Sequence, residues 1–324
     1  GVYFRLTDYK GGMEVQRKKM LEALVTHDKT VYFESSVDNF AKIPGSPVAY
    51  WASKLLMDDF KIGKPLGELS KPRQGMATTN NNRFLRLWFE IKNIGFNYQN
   101  IKETTDCKYK WFPYNKGGSY RKWYGNNDYV VNWYNNGQEL KDFTKDAPGG
   151  RMNNVEFYFK PSISWSKISS GLFSSRFFLN GFIFDVSGCS VFGEHLLYLL
   201  GFTNSIITRE ILKCVSPTLN YEVEHIKKLP VIFKFKNKVE CLSKENIDIS
   251  KTDWDSFETS WDFQTHPLLA PSALDMAGLI TAKQPTLAER YEQFKAICED
   301  RFDILQDNEE ELNRIFIDIY GLQS

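Results

Sequence analysis

Cysteine and histidine are scarce in this 324-residue sequence, and neither is arranged for chemistry. The five cysteines, Cys107, Cys189, Cys214, Cys241 and Cys298, form no CxxC pair. An odd number of widely spaced cysteines excludes a disulfide framework and reads as free thiols in a reducing compartment, so the expected location is the cytoplasm. The four histidines, His27, His195, His225 and His266, match neither zinc-finger nor HExxH spacing, and no metal site is expected. No apolar run is long enough to cross a bilayer, and no signal peptide opens the chain. GxSxG, GxGxxG and GxxxxGK(S/T) are all missing. The carboxylates show no spacing that singles out an acid/base pair. No catalytic or cofactor-binding residue is therefore expected in this chain taken by itself. An enzyme acting on polysaccharide would rest only on Trp and Tyr with scattered acids.

The composition that remains is that of a folded protein, 42% hydrophobic and 25% charged, with 15% aromatic residues. Net charge is +1, which does not describe a globally basic nucleic-acid binder, yet the charge is unevenly spread. From Cys107 to Tyr124 there is no acid but there are Lys108, Lys110, Lys116, Arg121 and Lys122. Acids are again absent from Phe157 to Phe184, where Lys160, Lys167 and Arg176 occur, whereas Glu289 to Glu311 is strongly acidic.

Three segments are candidates for a nucleic-acid surface. In KYKWFPYNKGGSYRKWYGNN (108–127) cations alternate with rings, and the residues singled out are Lys110, Trp111, Lys116, Gly117, Gly118, Tyr120, Arg121, Lys122, Trp123 and Tyr124. Cations meet phosphates and release counterions, rings meet bases, and paired glycines let the backbone approach a phosphate. A hairpin with rings in the core and solvated lysines has the same pattern. The second segment, RQGMATTNNNRF (73–84), offers Arg73, Asn80, Asn81, Asn82 and Arg83. Amides suit adenine and guanidinium suits guanine or phosphate, but an Asn-rich turn that tolerates left-handed φ reads the same way. In the third, SISWSKISSGLFSSR (162–176), Ser164, Ser166 and Lys167 suit phosphate contacts, and a polar sheet face is the alternative.

Element signals describe an α+β fold. Residues 2–6 and 30–34 read as strands around a helix over 14–25, the end of an α/β domain. The opening Gly1-Val2-Tyr3-Phe4, with no Met, reads as a boundary inside a longer protein. A short helix over 49–60 is followed by broken strands at 88–91, 111–112, 129–133, 156–159 and 181–186, expected to build a mixed, largely antiparallel twisted sheet. Helical spacing returns over 194–215, with a strand-like run at 229–235. Residues 236–284 read as an extended linker over the surface. From 285 the chain reads as a C-terminal helical extension, opened by a Thr286/Glu289 capping box and broken near Asp307-Asn308.

Several stretches together resemble one family, the PglX-type adenine-specific DNA methyltransferases of bacterial phage-defence (BREX) systems, relatives of fused restriction–modification methyltransferases. They are FAKIPGSPVAYWAS (40–53), RQGMATTNNNRFLRLWFE (73–90), KWFPYNKGGSYRKWYGNNDYVVNW (110–133), ISWSKISSG (163–171), FIFDVSGCSVF (182–192), LLGFTNSIITREILKCVSPTLNYEVEHIKKLPV (199–231) and EEELNRIFIDIYGLQ (309–323). The Gly75…Thr78 loop is similar to the segment that opens target-recognition domains of this class, with Thr79 where the family usually has Gly. The resemblance implies a parent enzyme that moves a methyl group from S-adenosylmethionine to adenine N6 of a flipped base in double-stranded DNA. It implies that 1–42 is the end of the catalytic domain, 43–235 the target-recognition domain and 285–324 a helical segment. The family's Asn/Asp-Pro-Pro-Tyr/Phe motif is absent, since no two prolines are adjacent. The implied partners are duplex DNA, the catalytic domain and other defence proteins. An alternative reading is a protein-interaction module built on the acidic helices.

Overall fold

A computed structural model describes residues 1–104, 107–169, 171–216, 220–269 and 285–323. The chain opens on β1 (Val2–Phe4), α1 (Met13–Thr26) and β2 (Tyr32–Glu34), with β1 and β2 paired antiparallel. Ala23 and Val31 are the fully buried residues of this piece, so it holds no core of its own. Tyr50 fastens it to the rest of the chain: its ring stacks on Tyr3 at 4.9 Å and its hydroxyl donates to the Phe4 carbonyl at 3.2 Å.

After α2 (Val37–Phe40), Ser53 caps α3 (Lys54–Ile62) by accepting the Leu56 N–H, which begins the helix later than the apolar pattern over 49–60 suggests. β3 (Lys64–Pro65) and α4 (Leu66–Leu69) lead into two four-stranded sheets. β4 (Lys71–Arg73) belongs to one of them. α5 (Asn81–Phe84), β5 (Leu85–Leu87), β6 (Trp111–Asn115), β7 (Tyr129–Asn132) and α6 (Tyr134–Asp146) build the other. The remaining strands are β8 (Ser162–Ser166), β9 (Ser175–Phe178), β10 (Ile183–Phe184) and β11 (Gly188–Phe192). The first sheet runs β4-β11-β8-β9, wholly antiparallel, and the second β10-β6-β7-β5, antiparallel except where β10 lies parallel to β6. The strand signals at 88–91 and 156–159 are short 3-10 turns instead (Trp88–Glu90 and Val155–Phe157), with Phe157 buried in the aromatic core and Phe89 exposed.

Alternation along β8 sets the layers, since successive side chains point to opposite faces. Ile163 and Trp165 join a helical core, and Ser164 points into a polar seam where Asn115 of β6 donates to its hydroxyl at 2.7 Å. The second core is aromatic, built on Phe84, Phe112, Tyr114, Trp133, Tyr158, Phe159 and Phe184.

The helical layer consists of α7 (Leu196–Asn204), α8 (Ile206–Val215), α9 (Val223–Lys227), α10 (Lys236–Trp254) and α11 (Leu287–Ile319), with β12 (Pro230–Val231) pairing β3. The expected helix over 194–215 is two helices, because Ser205 leaves helical φ/ψ and its hydroxyl caps α8 through the Thr208 N–H. The extended linker expected over 236–284 is corrected for its first part. Val239, Ser243, Asn246, Ile247 and Trp254 recur at helical spacing and bury one face of α10. Small polar residues in that stripe hide it from a reading based on apolarity. Residues 270–284 of that run lie outside the described residues. The break expected at Asp307-Asn308 is also corrected: α11 is continuous, and the Asn308 amide donates to Glu245 at 2.9 Å and Asn246 at 3.0 Å across the helix pair. No helix among the described residues is long and apolar enough to cross a membrane.

Candidate nucleic-acid interface

The structure divides the 108–127 segment between surface and core. Lys110 is exposed and Trp111 half-buried at the start of β6, with the Arg86 guanidinium 5.5 Å from the Trp111 ring. Lys116 sits at the end of β6, its ammonium 3.8 Å from Asp185. The Asp185 carboxylate already accepts the Tyr114 hydroxyl at 2.6 Å and the Ser187 N–H at 2.8 Å, so Lys116 keeps donors for another acceptor.

Gly117 and Gly118 have φ of +79° and +127°, as glycine permits. A Cβ at Gly117 would stand 2.8 Å from the Ser187 carbonyl, and one at Gly118 would stand 2.7 Å from the Asn126 amide. Internal neighbours therefore exclude a larger side chain at both positions, while Gly118 itself is exposed.

Tyr120 is half exposed, but the next residues turn inward. Arg121 stacks over Trp254 of α10 at 4.9 Å. Lys122 pairs with Glu309 of α11 at 2.6 Å, and the indole N–H of buried Trp123 donates to the same carboxylate at 2.7 Å. Tyr124 is 5% exposed. Trp123 and Tyr124 are therefore core residues, which corrects their assignment to a base-stacking surface.

The Asn-rich segment stays outside. Asn80 caps α5 through the Arg83 N–H, the Thr78 hydroxyl donates to the Asn81 side-chain oxygen at 2.7 Å, and Asn82 is exposed. Arg83 makes a bidentate-like contact from two nitrogens to one oxygen of Glu139, at 2.9 and 3.1 Å, and this contact holds the carboxyl below its usual range. Arg73 is half-buried over the Phe157 ring at 5.2 Å, in a packing position.

In the third segment, Ser164 is fully buried in the seam between the sheets, donating to the Cys189 carbonyl at 2.8 Å. That corrects its assignment as a DNA contact. Ser166 donates to the Gly118 carbonyl at 2.7 Å, and Lys167 pairs with Glu222 at 3.1 Å. Behind them Arg176 is wholly buried. Its contacts are 3.4 Å to the Arg121 carbonyl and 3.4 Å to Ser166, and burial beside Arg121 pushes its guanidinium down to about 10. It braces the turn from within.

What the fold brings together is a cleft of about 450 Å³ whose lining includes Asn81, Asn82, Arg86, Lys116, Glu90 and Tyr129. Two of the three candidate segments meet there. Glu90 is exposed on the same wall with one oxygen accepting the Leu87 N–H at 2.7 Å, so the wall carries two cations and two amides beside one carboxylate. Arg86 and Tyr129 were not singled out in the sequence. The signal for Arg86 was present, since a cation between Leu85 and Leu87 on a strand must face away from the core.

Such a cleft offers amide and guanidinium donors at one rim of a sheet. No group of three or more His, Cys, Asp or Glu among the described residues is placed to hold a metal ion.

No family model matches this sequence. Comparison with characterised proteins defines the class as adenine-specific methyltransferases. The chain is 38% identical over 334 aligned residues to the adenine-specific methyltransferase PglX of Lacticaseibacillus casei (strain Zhang), covering 100% of this chain and 27% of that protein. It is 30% identical over 328 residues to the adenine-specific methyltransferase BrxX of Escherichia coli O9:H4 (strain HS), covering 99% of this chain and 24% of that protein. The chain thus corresponds end to end to about a quarter of a PglX-type adenine-specific methyltransferase. Among solved structures, the type IIL restriction-modification enzyme MmeI in complex with DNA is similar over 81% of this chain and 34% of that one, with a TM-score of 0.48 and 12% identity.

Proposed function

We propose that this chain is the DNA target-recognition region of a PglX-type methyltransferase, gripping duplex DNA along the rim formed by α5, β5 and the start and end of β6. The single observation that carries the reading is the convergence of Asn81, Asn82, Arg86 and Lys116 on one cleft. Cations there neutralise phosphates, and the exposed amides suit base edges, the Asn81 oxygen being already engaged by the Thr78 hydroxyl. Lys110 and Trp111 extend the surface along β6.

The parent activity proposed with it is S-adenosylmethionine-dependent transfer to adenine N6 in phage defence. The cleft beside the first elements does not fit that cofactor. A cleft of about 620 Å³ beside the first elements is lined by Arg5, Arg209 and Lys213 with Tyr50 and Trp51, and by no carboxylate. Three cations repel a sulfonium, and no acid is there to take ribose hydroxyls. The reading therefore places methyl transfer outside this cleft.

The test is fluorescence anisotropy of the chain with a mixed-sequence duplex, titrated from low to physiological salt. Binding is expected to fall steeply with salt, and Arg86→Ala and Lys116→Ala are each expected to lower the log–log salt slope by about 1 if each removes one phosphate contact. Salt-independent binding, or equal slopes in all three proteins, overturns the assignment. A second reading, a protein-docking element, is favoured by the first half of α11, where Leu287, Tyr291, Ile297 and Phe302 are exposed. Co-purification with another protein that requires those side chains, without DNA binding, supports it.

A further inference from the structure

We infer that Glu309 of α11 is a positioning residue for the DNA-reading rim: it holds the 117–124 segment so that Lys116 and Tyr120 face outward. This inference rests on the proposed DNA-reading function.

The geometry is a clamp. One carboxylate takes two donors from consecutive residues of the loop, the Lys122 ammonium at 2.6 Å on one oxygen and the Trp123 indole N–H at 2.7 Å on the other. Trp123 is 2% exposed, so the second bond lies where a lost acceptor leaves an indole N–H without a partner. Trp123 has φ +68°, a left-handed conformation that a bulky residue keeps only when its surroundings enforce it.

From Trp123 the constraint runs to β9 by backbone bonds, Trp123 N–H to Ser175 O at 3.0 Å and Phe177 N–H to Trp123 O at 2.7 Å. On the other side it runs through Arg121 on Trp254 and through Asn126, whose amide donates to the Ser119 carbonyl at 2.9 Å and touches Gly118. The loop that presents Lys116 and Tyr120 therefore leans on the helical layer through residues far away in sequence.

The sign of the effect separates positioning from plain electrostatics. If Glu309 were only a charge near the DNA surface, removing it would free Lys122 and tighten duplex binding. If it positions the loop, removing it loosens the segment and weakens binding despite the added positive charge.

The experiment compares the wild-type chain, E309A and E309Q by hydrogen exchange and by anisotropy with the mixed-sequence duplex. In E309A, exchange of peptides within 117–127 is expected to rise about tenfold or more, and the duplex Kd to rise several-fold. In E309Q, which keeps an acceptor for the indole, both are expected to return most of the way. Unchanged exchange in E309A, or faster exchange with equal or tighter binding, overturns the inference while leaving the DNA-reading function standing. A wild-type chain that binds no duplex overturns that function, and the inference with it. If E309A does not fold, E309L, similar in bulk but without an acceptor, decides: a raised Kd with faster loop exchange supports the clamp, and wild-type values for both overturn it.

Discussion

Thr79 takes φ +55° and Asp59 is buried without a partner on one oxygen, and both carry strain that a single substitution relieves. A β-branched residue in the left-handed region costs about 1–2 kcal/mol relative to its ordinary conformations. Glycine removes that cost but loses about 0.5–1 kcal/mol of chain entropy on folding. Thr79→Gly is therefore expected to stabilise the chain by roughly 0.5–1 kcal/mol in urea unfolding, by the difference of those two terms, and a destabilised variant would show that the loop does not hold this φ. The position is the one where the resembling family usually has Gly, so the sequence already pointed to an unusual backbone there.

Asp59 is 5% exposed, and burial, with Asp58 next to it, raises its carboxyl from 3.8 to about 7. The folded state thus holds a proton that the unfolded state has released over that window, and stability falls as pH rises through it. Asp59→Asn cannot ionise, so its Tm is expected to gain on wild type between about pH 4 and pH 7 and to level off above. A Tm difference that is flat with pH would mean that the carboxylate finds solvent. Nothing in the sequence marked Asp59, because an acid in a helix beside Asp58 reads as a solvated surface; only the packing of α3 under β12 buries it.

At the scale of elements, α11 is two different helices in one. Leu312, Ile315, Phe316 and Ile319 are buried against the core, whereas Leu287, Tyr291, Ile297 and Phe302 are exposed along the first half. Phe316→Ala is expected to cost about 3–5 kcal/mol in chemical denaturation, the range for truncating a fully buried ring. Phe302→Ala, at 64% exposure, is expected to stay within about 0.5 kcal/mol of wild type. Equal losses would mean that both halves of the helix are covered.

The capping box at Thr286 and the apolar stripe made this helix legible in the sequence, and Thr286 does accept the Glu289 N–H at 3.2 Å. α10 was not legible, since its buried stripe includes Ser243 and Asn246, residues whose burial depends on a partner helix. Within the candidate site, the Asn-rich turn and Lys116 could be read from residue type. Trp123, Tyr124 and Ser164 could not, because rings and hydroxyls look alike in a core and on a binding face.

At the scale of the molecule, the helical and aromatic cores meet through a polar seam. Asn115 donates to Ser164 at 2.7 Å, to the Gly188 carbonyl at 3.3 Å and to Ser190 at 3.4 Å, and accepts the Gly117 N–H at 3.1 Å. Buried polar groups that satisfy one another across two layers lose those partners together when either layer opens. Thermal unfolding followed through tryptophan and helix signals is accordingly expected to give coincident transitions. Two resolved transitions would show that the layers fold independently. The near-neutral total, +1, hides an uneven distribution, with Arg86 and Lys116 on the sheet rim and acids along α11.

The carboxylate of Glu309 closes on Lys122 and Trp123 across 187 and 186 positions of chain. A ribosome releases the sheets long before it releases the helix that fastens their loop. Until that helix arrives, a nascent chain carries Lys122 and Trp123 without the carboxylate that holds them, so this contact closes only after the last helix is made.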